Sequence, residues 1–365
     1  MDNHLYEYLL GIYEDEEVER QRRRQQFQQL KLERRMLRDT SNVFAMCPNH
    51  FRKYYRFTPE VALRLIRDIE HELIGARDSA IQSHIQVLSV LRFLAEGSYQ
   101  KGFCQDFMHP ISQPSASRFI TKVINAINNV LAEQYLHFPS TEQERENIQQ
   151  SFRRTIRVPG IIGLIDCFVI CITRPSQNEE AFYHYRHGHG LIAQIIVDSN
   201  YNILNIRICP GSNNDRYVWQ LSQAREYIES LRNYQPQNNY YILGDSGYTL
   251  SPVLLTPILD AAEGTPEAAY TYDHVRTRCR VEQTIGMFTN IWRVIKRARK
   301  LLYQPQKFAD IVNACAILYN YRRRHGIVDD PVLRVAPRNR PVRNHNMDYP
   351  AGIAERNRII QEYYR

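Results

Sequence analysis

The chain has 365 residues, 43% hydrophobic and 24% charged, enough apolar content for two packed domains, with one large or three small as alternatives. It has no apolar run of about 18 residues, which excludes a membrane-spanning helix of ordinary type. Its 47 Lys and Arg against 39 Asp and Glu give a net charge of +8, so polyanions are favoured partners through phosphate neutralisation.

Seven cysteines with no CxxC pair argue against a disulfide framework and against a four-cysteine zinc site. The acidic start lacks the basic-then-apolar order of a signal peptide, so an intracellular, reduced protein is expected. Residues 14–40 are free of Gly and Pro and predict a charged helix. Its apolar residues Val18, Phe27, Leu30 and Leu37 make only a thin stripe, so residues 1–45 read as a solvated arm or a DNA-contacting one. The run RQRRR at 20–24 also suits a nuclear import signal.

Residues 46–150 predict a helical bundle. Thr58 can cap a helix that buries Val61, Leu65, Ile66, Ile69 and Leu73, and a second helix runs from Ile85 to a stop at Gly97. After a turn region, Ser112 can cap a third helix burying Phe119, Val123, Ile127 and Leu131. A short helix, a turn and a helix opening SQPSASR form a helix-turn-helix-like segment. There Gln113, Ser115, Ser117 and Arg118 could reach phosphates or base edges; a plain helical bundle offers a similar surface.

After Val158 the periodicity changes. GIIGLIDCFVICI reads as a buried strand, LIAQIIVD and NILNIRIC as two more around the turn SNYN, and YYILGD as a fourth. Helices are expected over 216–232, 273–302 and 308–324, with 250–270 as loop. Residues 155–325 thus predict a mixed α/β domain, and the Arg-, Asn- and Pro-rich tail 326–365 is expected to be poorly ordered.

Asp166 stands alone in the first apolar strand, where a lone charge is expensive unless it binds a cation or pairs with an arginine such as Arg174 or Arg186. Asp245 ends the YYILGD strand before a Ser-Gly turn, a place where sites gather and also where an Asp caps its own turn. Glu282 flanks the buried face of a following helix and is also an i, i+4 partner of Arg278. In order, Asp166 on the first strand, Asp245 after a later strand and Glu282 on a helix make the layout of an RNase H-like DDE site. Three carboxylates suit two hard divalent ions about 3.5–4 Å apart, one activating the attacking oxygen and one stabilising the leaving oxygen. Mg²⁺ or Mn²⁺ fits such oxygen ligands.

The segments GLIDCFVICITRPSQNEEAFYHYR, VDSNYNILNIRICPGSNNDRYVW, LGDSGY, RTRCRVEQTIGMF and VNACAILYNYRRRH stand in an order that resembles the PIF/Harbinger transposase superfamily, in particular Harbinger-transposase-derived nucleases of animals. The resemblance covers about residues 50–325. It implies that Asp166, Asp245 and Glu282 are catalytic and that Asp215 joins them in binding a divalent cation. It further implies a nuclear nuclease acting on DNA beside a Myb-like DNA-binding partner. The chain departs from the family pattern at Cys167, Phe168 and Val169 after the first Asp, at Ala193, at Asn214, and at Gln283, Thr284 and Ile285 after the Glu. These changes touch support for the site more than metal binding itself, and they leave a catalytically inactive DNA- or chromatin-binding protein as the alternative.

HYRHGHG at 184–190 invites a zinc reading, but its spacing favours a basic surface loop, and Cys167 and Cys171 read as buried thiols. The run RVIKRARK is expected to continue the Glu282 helix, with Arg293, Lys296, Arg297 and Lys300 tracking phosphates or lining a solvated face.

Overall fold

The computed structural model describes residues 3–74, 81–98, 100, 110–234, 238–296, 302–329 and 348–365. A long helix α1 (Asn3–Thr40) leads into α2 (Pro48–Tyr55), α3 (Pro59–Ile69), α4 (Ser83–Glu96) and α5 (Gln113–Tyr135). Val18, Phe27, Leu30 and Leu37 of α1 remain solvent-exposed, as a thin stripe dictates. Both expected caps form: Thr58 accepts from the Val61 amide and Ser112 from the Ser115 amide. Gly97 ends α4 in the left-handed region at φ 64°. The turn region at 99 and 101–109 lies outside the described residues.

A capped helix α6 (Glu142–Phe152) brings the chain to β1 (Ile161–Cys171). Then follow the short α7 (Glu179–Phe182), β2 (Tyr183–His184), β3 (Gly188–Val197), β4 (Ile203–Pro210), α8 (Asp215–Gln220), α9 (Gln223–Tyr234), β5 (Tyr241–Leu243) and β6 (Leu254–Leu255). The spatial order is β4, β3, β1, β5, β6, with β2 extending the edge of β3. β3 runs antiparallel to both of its neighbours, β1 and β4, whereas β5 and β6 run parallel to β1. This order and polarity are those of an RNase H-like sheet. β2 and β6 were not expected, since two-residue strands carry no alternation to read.

Successive side chains on a strand point to opposite faces. Ile162, Ile165 and Cys167 of β1 pack with Trp219 of α8 and Ile228 of α9 on one face. The other face meets α10 (Pro266–Ile291) and α11 (Pro305–Arg324). Buried Asn320 of α11 joins the two halves of the chain: its amide donates to the Tyr135 carbonyl of α5 and to Ile203 of β4 at 2.6 Å each. One apolar core therefore runs from the bundle into the sheet, so the boundary expected near 150–155 is not a break in packing.

Two expectations are corrected. The Glu282 helix starts at Pro266 rather than Asp273 and ends at Ile291, followed by a 3-10 turn over Arg293–Ile295. Trp292, Val294 and Ile295 are buried, and their burial against the bundle outcompetes continuation of the helix. Arg293 and Lys296 are therefore not on a helix face, and Arg297 and Lys300 lie outside the described residues. The tail is not disordered throughout: residues Pro350–Tyr363 form α12, which packs on α10 through Ile359, Ile360 and Tyr364. Tyr364 stacks edge-on against Tyr270 and donates to Asp273 at 3.1 Å.

Candidate active site

Asp166 is the residue of β1 that turns from the α8–α9 layer toward α10, because it alternates with Ile165 and Cys167. It is only 4% exposed. The Cys167 amide donates to its Oδ1 at 2.8 Å, and Nη2 of Arg278 on α10 lies 3.0 Å from its Oδ2. The arginine that pairs with Asp166 is thus Arg278, not Arg174 or Arg186. Arg174 pairs instead with Glu179.

Asp245 caps its own turn and also faces Arg278. Its Oδ1 accepts from the Gly247 amide at 2.9 Å, which fixes the turn after β5. Its Oδ2 faces Arg278 Nη2 at 3.7 Å. Glu282 lies one turn beyond Arg278 on α10, and its Oε1 accepts from Nη1 at 2.7 Å. A strand, a strand end and a helix therefore bring Asp166, Asp245 and Glu282 around a single guanidinium. Burial opposes the charge of Arg278, but the three carboxylates, Asp166 first, outweigh it and hold the guanidinium firmly protonated.

Asp215 opens α8 directly after its Asn214 cap, whose side chain accepts from Tyr217 at 2.9 Å. Its charge lies near Cys167 and Tyr248: burial and then Asp215 push the thiol upward, and burial, then Cys167, then Asp215 push the phenol upward. Arg216 donates to the Gly247 carbonyl at 3.0 Å, tying α8 to the turn that holds Asp245. Asp215 thus stands beside the cluster of three. Gln194 of β3 completes this side, donating to Tyr248 Oη at 3.2 Å and to the Asp215 carbonyl at 3.4 Å.

The candidate DNA contacts are dispersed. Gln113 and Arg118 are exposed at the start of α5, while Ser115 is held by Ser112, with the two hydroxyls 2.8 Å apart. Ser117 is half-buried, and its carbonyl accepts from Thr121. Arg293 is exposed, and Lys296 donates to Asn290 at 3.2 Å. The expected histidine loop is instead the β2–β3 hairpin, in which His184 and His187 stack with centroids 4.7 Å apart and His189 meets Glu179 at 2.8 Å. No group of three metal-type side chains at ligating distance is present among the described residues, the carboxylates being spaced to fit a guanidinium.

Residues 165–320 match the family profile described as "DDE superfamily endonuclease", a span that holds Asp166, Asp215, Asp245, Arg278 and Glu282. The chain is 29% identical over 302 residues to "Putative nuclease HARBI1" of Rattus norvegicus, covering 80% of this chain and 84% of that one. It is 23% identical over 204 residues to "Protein ALP1-like" of Arabidopsis thaliana, covering 52% and 50%. The crystal structure of the Mos1 mariner paired end complex with Mn aligns over 74% of this chain and 85% of its own at 11% identity, with a TM-score of 0.22.

Proposed function

We propose that this chain, a member of the PIF/Harbinger transposase superfamily with a DDE endonuclease domain over residues 165–320, hydrolyses phosphodiester bonds in DNA with the help of Mg²⁺ or Mn²⁺. The observation that carries this reading is the gathering of Asp166, Asp245 and Glu282 on Arg278. Three carboxylates share the guanidinium of Arg278, a concentration of negative charge that favours further positive charge. The donors are hard carboxylate oxygens, the chemistry that Mg²⁺ and Mn²⁺ prefer. Asp166, Asp245 and Glu282 would hold the ions and Asp215 would stand in support, with Arg278 turning aside. When bound, such ions supply Lewis acidity at the scissile phosphate and at the oxygens that attack and leave.

The protein's own contribution is placement. Cys167 and Gly247 amides fix one oxygen each of Asp166 and Asp245, so the other oxygen faces the cluster. Glu282, with a side chain 33% exposed against 6% for Asp166, marks the open side by which DNA would approach. The attacking oxygen would be that of water, which gives up a proton to solvent as it bonds to phosphorus in line; the opposite P–O bond breaks and its oxygen leaves as the alcohol, protonated from solvent. We place this activity in the nucleus, where DNA resides and where a Myb-like partner would supply sequence recognition; the run RQRRR in α1 and the family resemblance support that placement.

A second reading rests on the same arginine. If Arg278 stays among the carboxylates, the chain is a DNA-binding relative that does not cut. Incubating the purified chain with supercoiled plasmid in Mg²⁺, Mn²⁺ or EDTA tests the choice. Metal-dependent nicking that D166N abolishes supports hydrolysis, and intact plasmid under every condition supports the second reading.

A further inference from the structure

A cavity of about 400 Å³ opens between α2, the end of α10 and the end of α11. Its walls include Arg52, Lys53, Arg56, Asn290, Arg322 and Asp329. Four cations and one carboxylate line it, and exposed Arg293 lies close enough to Arg56 to add to the positive field. We infer that this cleft binds the phosphodiester backbone of DNA, with Asp329 standing where a phosphate would sit. The inference rests on the DNA substrate proposed above.

Asp329 is held as a phosphate would be. Arg322, 1% exposed, aims Nη1 and Nη2 at its two oxygens, at 2.7 and 3.3 Å. Arg52 adds a third contact at 3.3 Å. A guanidinium fork of this kind fits phosphate oxygens as well as carboxylate ones. Arg322 is itself fixed by donating from Nε to the Arg56 carbonyl at 2.6 Å. Arg56 adopts a left-handed backbone, φ 66°, which sends its guanidinium into the wall to donate to the carbonyls of Ile291 at 3.2 Å and Ala95 at 3.3 Å. Buried Arg322 and half-buried Arg56 thus build the floor, while Arg52 and Lys53 are exposed at the mouth.

Among the described residues lining the cleft, four cations stand against Asp329, with Glu96 further off beside Arg56, so positive charge is in excess at the lining. Concave, poorly solvated basic surfaces concentrate polyanions. The cleft also lies along the helix that carries Glu282. Asn290 is eight residues further on α10, about 12 Å along its axis, or between three and four steps of a duplex strand. DNA presented to the carboxylate cluster could therefore rest its flanking backbone here, where basic groups offset the repulsion of the acids.

The test is binding of a fluorescent 20-base-pair duplex to the full chain in EDTA, followed by anisotropy over a series of salt concentrations. The double variant R52A/K53A, altered at exposed positions, should bind about tenfold more weakly at low salt, with the slope of log K against log salt shallower by about 1.8. D329N should bind more tightly, because it removes the internal competitor. Unchanged affinity and slope in the double variant overturn the proposal, as does weaker binding by D329N with its melting temperature retained. Since EDTA excludes turnover, a null result here alongside metal-dependent nicking rejects the cleft alone. A positive result without nicking rejects the nuclease reading alone.

Discussion

Arg278 and Asp166 form an ion pair between α10 and β1: Nη2 of the arginine lies 3.0 Å from Oδ2 of the aspartate, with side chains 12% and 6% exposed. The same guanidinium also serves Asp245 and Glu282. It is the positive charge that lets three acids coexist in one place, and it competes with any ion those acids would hold.

Replacing Arg278 by Met should therefore destabilise the protein in EDTA by about 3–5 kcal/mol, the usual effect of stripping a partner from buried charges. Millimolar Mn²⁺ should restore much of that loss, because an ion can neutralise the same carboxylates. Melting curves in both buffers check this. A loss that Mn²⁺ does not reduce would mean that the arginine matters through packing alone.

The effect of D166N follows from the same geometry. It loses one contact to Arg278 but leaves two carboxylates sharing one guanidinium, with less repulsion. Stability in EDTA should shift by no more than about 1 kcal/mol, while the stabilisation by Mn²⁺ expected of the parent protein should shrink or vanish. An equal large loss with and without metal would mark Asp166 as a purely structural acid.

Removing residues 348–365 should cost about 3 kcal/mol or more, from re-exposing Ile359, Ile360 and the Tyr270 face they cover. The loss should be read by chemical denaturation, where an unchanged midpoint would show that α12 adds nothing to the fold.

His274, wholly buried on α10, is pushed down to about 3, chiefly by burial. Its unfolded value is near 6.5, so the unfolded chain binds the extra proton in the window between. Stability should therefore fall as pH drops from about 6.5 toward 3, by up to about 1.4 kcal/mol per unit from this residue. H274Q, which can still donate to the Leu255 carbonyl, should flatten that slope. Urea midpoints at several pH values decide it, and an unaltered slope would place the acid sensitivity elsewhere.

The acids were legible in the sequence because each breaks a pattern. Asp166 interrupts a β-branched run, Asp245 ends one, and Glu282 flanks the apolar stripe of a helix. The central role of Arg278 was not. An Arg four residues before a Glu is a common surface pair, and only the approach of α10 to β1 turns its other nitrogen toward Asp166. The available signal was the need of three buried carboxylates for a counter-charge. α12 was hidden by the Arg-, Asn- and Pro-rich composition around it, although IAERNRIIQEYY carries its own apolar stripe. The early end of α10 followed from long-range burial of Trp292 and Ile295, which local propensity does not report.

Titration of Mn²⁺ into the purified chain by calorimetry, in parallel with D166N, D245N and E282Q, tests most directly whether the three acids form one cation-binding cluster. The account predicts saturable binding by the parent protein that each single substitution weakens severely, with R278M binding more tightly than the parent. Binding that none of the three substitutions alters would contradict it.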